Sequence, residues 1–377
     1  MAGSFYGRMD WGHAIEPAKL TTGDDHMNVT ELLSKAADEG ASDVFLIAGL
    51  PLSCRINGVL RREDDTRLLP PDTENMITQI YELANHRSME ILHETGDDDF
   101  SFAIKGLSRF RVNTYKQRGS LAAVIRIITF TLPDPKDLGI PDTIINFGRL
   151  NKGLVLVTGP AGSGKSTTLA CIVDQINATM ERHIITLEDP LEYLHPHKMS
   201  IVSQREINID TETYVTALRA ALRQSPDVIL LGEMRDYETT TVAMTAAETG
   251  HLIISTLHTI GAANTIDRII DVFPPNQQRQ IAVQLSMSLQ AVVSQQLVPT
   301  MDGRRVPAFE IMTATPAIRN MIRDNKVHQI DGMIYSSANE DMVSMDTSLL
   351  NLYKKGTISK DTALAYASNA EMLSKKL

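Results

Sequence analysis

The sequence predicts an α/β fold, a parallel sheet with helices on its faces, preceded by a small α+β domain. Three observations carry this reading. Between residues 153 and 258, short apolar runs alternate with helical segments, the pattern of βαβ units. The first of these runs, "GLVLVTG", leads into a Gly-rich loop that opens a helix. Ahead of them, "TLPDPKDLGIPD" (131–142) holds three prolines in twelve residues and reads as a linker.

In chain order, residues 1–27 are polar and Gly-rich, contain the single tryptophan Trp11, and read as a flexible arm. The α+β domain spans 28–130. Thr30 is placed to cap a helix with apolar Leu32, Leu33 and Ala36, and Gly40 to end it. "DVFLIAG" and "LSCRING" read as strands, with an Asn57-Gly58 hairpin turn before "VLRRE". One helix is expected around 72–94. The strands "DDFSFAI", "SRFRVNTYKQ" and "SLAAVIRII" follow. The linker is set at 131–149 and the second domain at 150–377. There the strand "GLVLVTG" precedes a helix at 165–178, and "HIITLED" precedes one at 211–224. "DVILLG" precedes a helix at 236–248, "LIISTLH" follows, and from about 276 the pattern is mostly helical.

Bulk numbers restrict the function. A chain of 377 residues has ample length for a large core, and 43% hydrophobic with 22% charged residues describes a globular protein. The net charge of −10 argues against broad nucleic-acid binding, and no direct nucleic-acid partner is expected. Two distant cysteines, Cys54 and Cys171, make neither a disulfide framework nor a zinc site and suit a cytoplasmic protein. No apolar run approaches the ~20 residues of a membrane span, so any membrane role is peripheral.

The chemistry rests on "GPAGSGKST", residues 159–167, which contains Gly159-x4-Gly164-Lys165-Ser166 between a strand and a helix. Glycines 159, 162 and 164 let the backbone turn its N–H groups inward, with Pro160, Ala161 and Ser163 between them. The helix N-terminus adds partial positive charge, and Thr167 sits in its first turn. Lys165 reaches the β- and γ-phosphates, and the Ser166 hydroxyl is offered to magnesium. ATP and Mg²⁺ are the expected ligands.

In an open α/β sheet the ligand lies at the carboxyl ends of the strands. Glu188, Glu233 and His258 fall at such ends, Glu192 follows closely, and His251 precedes the strand that ends before His258. A lone carboxylate after a strand is usually a solvated turn residue, and a lone histidine is usually structural. Three such ends facing one phosphate loop favour catalytic work. In the first domain Arg109 and Arg111 share one strand face, with Arg118 and Arg126 nearby. They read either as a salt-bridge ladder or as arginine fingers for a γ-phosphate, since guanidinium binds phosphate bidentately.

With these residues in place, the chain resembles the PilT-like secretion ATPases, and most of all the DotB-like branch serving type IVB (Dot/Icm) secretion. The resemblance spans about 28–370. It is carried by "GPAGSGKSTTLA", "TLEDPLEY", "ALRQSPDVILLGEMRDYETT", "AAETGHLIISTLHT", "TIDRIIDVFP" and "TPAIRNMIRDNKVHQI", in one order with similar spacing. It implies a RecA-like ATPase domain behind a PAS-like domain, assembled as a homo-hexamer. Partners would be inner-membrane secretion proteins reached from the cytoplasmic side, and the protein would attach peripherally there. Glu192 matches the family's catalytic glutamate and Glu233 its magnesium–water residue. Glu188 lies in the same acidic box. His251 and His258 match the histidine box near the nucleotide, and Arg111 and Arg126, with Arg118, the phosphate arginines. "AIRNMIRD" (317–324) matches a helix tied to pilus retraction. The long N-terminus and a divergent tail make secretion the first reading and a pilus-retraction motor the alternative. A DNA-translocating ATPase, predicting DNA stimulation, ranks below both, and the missing four-cysteine zinc cluster disfavours the pilus-extension branch.

Overall fold

The computed structural model describes residues 28–56, 58–128, 132–337 and 341–377. The 1–27 arm with Trp11, and Asn57 of the expected turn, lie outside the described residues. The chain divides into two compact units after Ile128.

The first unit is a six-stranded antiparallel sheet with three helices. Its strands are β1 (Ala41–Leu46), β2 (Pro51–Ile56), β3 (Val59–Arg67), β4 (Asp97–Ile104), β5 (Ser108–Gln117) and β6 (Ser120–Ile128), in the order β3-β2-β1-β6-β5-β4. Helix α1 (Val29–Asp38) buries Val29, Leu32, Leu33 and Ala36, spaced as one helical stripe. Its cap is Asn28 and not Thr30. The Asn28 side chain accepts from the N–H groups of Thr30 and Glu31, which leaves Thr30 inside the first turn. The single helix expected over 72–94 is two, α2 (Pro70–Leu83) and α3 (Glu90–Thr95). Asn85 and His86 take left-handed backbone between them, where the helical hydrogen-bond ladder cannot continue.

The second unit is built on a seven-stranded sheet. Its strands are β7 (Gly153–Thr158), β8 (His183–Glu188), β9 (Ile201–Glu206), β10 (Val228–Leu231), β11 (Leu252–Leu257), β12 (Leu289–Pro299) and β13 (Arg305–Thr313), in the order β13-β12-β7-β11-β10-β8-β9. All neighbours are parallel except β12 and β13. The helices are α4 (Asp142–Asn146), α5 (Lys165–Thr179), α6 (Tyr214–Ala221), α7 (Tyr237–Glu248), α8 (Ala262–Asp271) and α9 (Pro275–Ser288), then α10 (Pro316–Arg323), α11 (Ile330–Ser336), α12 (Met345–Lys354), α13 (Lys360–Tyr366) and α14 (Ala370–Ser374).

The central strands read as unbroken apolar runs because both faces are covered. Leu156, Ile185, Leu187, Ile229, Leu231 and Ile253 pack under α6 to α9. Val155, Val157, Ile184, Val228, Leu230 and Ile254 pack on the other side under α5. Each such side chain contributes about 1.5–3 kcal/mol of burial.

Two expectations change here. The linker set at 131–149 is not loose to its end. Ile140, Ile144, Ile145 and Phe147 are buried in the core under α5, so the second unit begins well before residue 150. The region after 276 is mostly helical, as expected, but it also holds a hairpin the expectation lacked, β12 and β13, which widens the sheet. Strand β12 follows Ser288 with no Gly or Pro break, and its buried Ser294-Gln295-Gln296 interrupts the apolar signal. Among the described residues no helix is long and apolar enough to cross a membrane.

Candidate active site

The carboxyl ends of β7, β8, β10 and β11 meet at one cavity of about 260 Å³. Its lining includes Gly162, Lys165, Ser166, Glu188, Glu192, Glu233 and His258. These seven come from four separate sequence segments that only the parallel register aligns.

The loop shape is set by glycine. Gly159 has φ +142 and Gly164 has φ +88, both outside the range that side chains tolerate. A β-carbon at 159 would also strike the Gln295 carbonyl of β12. Lys165 is buried, and its ammonium donates to the carbonyls of Gly159 (2.8 Å) and Pro160 (3.0 Å). Burial pulls its pKa below the ordinary value, opposed by the charges of Glu192 and Glu233. Ala161 and Gly162 are exposed at the loop tip. The Ser163 hydroxyl is buried without a hydrogen-bond partner, a group that a phosphate oxygen would satisfy. Thr167 pairs its hydroxyl with that of Tyr193 at 3.0 Å.

Glu192 accepts a 2.8 Å hydrogen bond from the Ser166 hydroxyl. That bond uses the hydroxyl's proton and leaves its lone pairs for a hard cation, the donor set that magnesium takes beside phosphate oxygens. Glu233 is mostly buried and carries two partners, Arg235 and the His258 Nε2 at 3.4 Å. Among the described residues no three His, Cys, Asp or Glu side chains converge as a metal cage. Magnesium held through one hydroxyl, water and phosphate does not need one.

Glu188 is half-buried at the end of β8, and burial pushes its carboxyl up to about 7, with the charges of Glu192 and Glu206 adding to the effect. The segment after Glu192 is fixed from β9: the Gln204 side chain donates to the Tyr193 carbonyl (2.9 Å) and accepts from the His195 N–H (2.7 Å).

His251 stands apart from the expected position near the nucleotide. It precedes β11 at the amino edge of the sheet, and its Nδ1 lies 3.1 Å from the Ala246 carbonyl at the end of α7. Six strand residues, about 20 Å, separate it from His258. Of these two histidines, only His258 lines the cavity.

In the first unit Arg111 and Arg126 are direct cross-strand neighbours on one face of β5 and β6. Like charges so placed repel, and each has a carboxylate: Arg111 bonds Asp99 (2.6 Å) and Arg126 bonds Asp43 (3.2 Å). The Arg126 side chain is 66% exposed, so its charge stands outside the core although the strand around it is apolar. Arg118 is not brought to this pair. It forms the β5–β6 turn with Gly119, both at positive φ, seven residues and about 23 Å along the strand from Arg111.

Sequence reasoning missed Tyr214, Arg235 and Gln295. Tyr214 begins α6 and lines the cavity, its hydroxyl pKa raised by burial. Arg235 lies two residues past Glu233, a spacing that puts both on one side of buried Met234 and was legible. Gln295 has no local signal, since it lies on the unrecognised β12.

The chain is similar to known proteins over most of its length. A family model described as type II/IV secretion system protein matches residues 25–333. A Pseudomonas aeruginosa protein named type IV pilus retractation ATPase PilT is 46% identical over 89% of this chain and 97% of its own length. A Neisseria gonorrhoeae twitching motility protein is 42% identical over 92% of each chain. The crystal structure of the pilus retraction motor PilT with bound ADP superposes with a TM-score of 0.85 at 44% identity, covering 93% of this chain and 99% of that one. The Legionella pneumophila ATPase DotB gives 0.72 at 28% identity, covering 89% and 94%. DotB is thus the more distant of these two neighbours, which corrects the order expected from the sequence. A match over most of the length, on a chain whose strand ends gather a phosphate loop and its carboxylates, leaves one conclusion: this chain belongs to the type II/IV secretion system protein family, and membership implies ATP hydrolysis.

Proposed function

We propose that the chain is the retraction motor of a type IV pilus, a homo-hexameric ATPase working against inner-membrane pilus proteins from the cytoplasmic side. The observation that carries the chemistry is the 2.8 Å bond between Ser166 and Glu192, which sets a carboxylate against the phosphate loop. The pilus assignment draws on the 46% identity to a retraction ATPase over nearly its whole length.

In this reading the inward N–H groups of the loop and the Lys165 ammonium bind the triphosphate. Ser166, with Glu233 through water, would hold Mg²⁺, which supplies neutralisation of phosphate charge. Glu192 accepts hydrogen bonds from the attacking water and orients it. His258 holds the Glu233 carboxylate in position. In the first unit, Arg111 and Arg126 present two guanidinium groups of the kind that bind phosphate bidentately, each paired with a carboxylate, Asp99 and Asp43. A second cavity of about 410 Å³ opens beside the loop, lined by Leu138, Ile140, Thr167, Leu297 and Arg305, and fits the nucleoside.

The test is a phosphate-release assay. Glu192→Gln should lower kcat by about 10²–10³-fold with nucleotide binding retained, and Lys165→Ala should weaken binding itself. Full turnover in either variant removes the assignment. Complementation separates motor from transporter: the gene should restore twitching to a strain lacking its retraction ATPase. Rescue of protein export with no twitching would return the secretion reading.

A further inference from the structure

We propose that Gln295 is a positioning residue that sets nucleotide affinity by clamping the phosphate loop from behind. The inference rests on the nucleotide reading above and adds a residue to it.

Gln295 lies in β12, next to β7 in the sheet, and is only 3% exposed. Its Oε1 accepts a 2.8 Å hydrogen bond from the Thr168 hydroxyl, in the first turn of α5. Its carbonyl oxygen fills the space where a side chain at Gly159 would begin. Its Nε2 lies 2.9 Å from where a β-carbon at Gly164 would sit. One residue therefore touches the first and last glycines of the loop and the helix that the loop opens.

The choice of residue fits that task. The loop binds an anion with backbone N–H groups whose direction depends on the register between the loop and the first turn of α5. A buried carboxamide fixes that register through hydrogen bonding and adds no charge. A carboxylate would place an anion under an anion site, and a lysine would oppose Lys165. An apolar side chain would leave the fully buried Thr168 hydroxyl unpaired.

The experiment compares the wild type with Gln295→Met, Gln295→Glu and Thr168→Val as purified full-length chains. It measures mant-ATP affinity, steady-state ATPase activity and thermal unfolding. Gln295→Met should raise Kd and KM about ten-fold, ~1.4 kcal/mol, with kcat within about three-fold and Tm lowered by only a few degrees, the cost of one buried hydrogen bond. Gln295→Glu keeps an acceptor for Thr168 but adds charge, and should weaken binding further. Thr168→Val should reproduce the Gln295→Met shift, and the double variant should be no worse than either single one, as expected when both act through one bond. Unchanged affinity in Gln295→Met overturns the proposal, and so does an affinity loss that only tracks a fall in Tm. If Gln295→Met does not fold, the Thr168→Val result alone decides. A wild-type chain that fails to bind mant-ATP would instead remove the nucleotide reading, and this proposal with it.

Discussion

The two edges of the parallel sheet share strands and part company in chemistry. At the carboxyl edge, polar groups are left for a ligand: the Ser163 hydroxyl has no partner, and Lys165, Ser166, Glu192 and Glu233 line one cavity. At the amino edge, polar groups close on the fold. The backbone N–H of His183 donates to Asp227 (2.7 Å), its Nδ1 lies 2.9 Å from the Gln224 carbonyl and its Nε2 lies 3.0 Å from the Ser203 hydroxyl. Arg182 bonds the Leu150 carbonyl and the Asn151 side chain, and His251 faces Ala246. Parallel strands explain the difference. Every connection enters at one edge and leaves at the other, so the exit loops can be shaped for binding while the entry turns only fasten the helices. His251 and His258 flank one strand and so lie at opposite edges of the sheet.

Four substitutions test that contrast, the largest effect first. Gly159→Ala forces a β-carbon onto the Gln295 carbonyl at a φ of +142. Backbone cannot yield as a side chain tip can, so the variant should lose about 3–4 kcal/mol. Thermal unfolding should show a Tm lowered by roughly 10 °C. A variant as stable as wild type would mean the loop is not pinned to β12.

Glu188 gives an intermediate effect with a defined sign. Its carboxyl is raised from 4.5 to about 7, so between those values the folded chain keeps a proton that the unfolded chain has released. Stability from this group is therefore full below about 4.5 and declines as pH rises to about 7, by on the order of 3 kcal/mol. Glu188→Gln should remove that slope and raise Tm at pH 8, read from melting curves across pH. A slope kept in the variant would assign it to other groups.

The smallest effect separates the two histidines. His251→Ala loses one partly buried hydrogen bond and should cost about 1 kcal/mol of stability, with single-site ATP turnover little changed. His258→Ala frees the Glu233 carboxylate and should lower kcat with less effect on Tm. Equal losses of turnover would show that the amino edge takes part in catalysis and that the two edges do not differ in role.

Much of this was legible in the residues. "GPAGSGKST" announced a phosphate loop because few sequences meet its need for glycine at fixed offsets between a strand and a helix. The apolar runs at 153–158, 183–188, 228–231 and 252–257 announced buried parallel strands. Glu192 and Glu233 were found through their places after those runs. The hairpin of β12 and β13 was not legible, because a buried Ser-Gln-Gln run looks polar and is satisfied only by distant partners such as Thr168. The break at Asn85 and His86 was also hidden, since neither Gly nor Pro marks it.

What the sequence determined alone is therefore local: the loop, the apolar strands, the capped helices and the residue types available for chemistry. Backbone dihedral limits and burial periodicity act over a few residues, so they can be read from a few residues. Only the tertiary structure decided the rest. Strand order placed His258 in the cavity and His251 at the far edge, cross-strand register made Arg111 and Arg126 neighbours and left Arg118 behind, and β12 put Gln295 beneath the phosphate loop. Those outcomes depend on pairing between segments tens of residues apart, whose contact energies are shared across the whole sheet and carried by no single stretch.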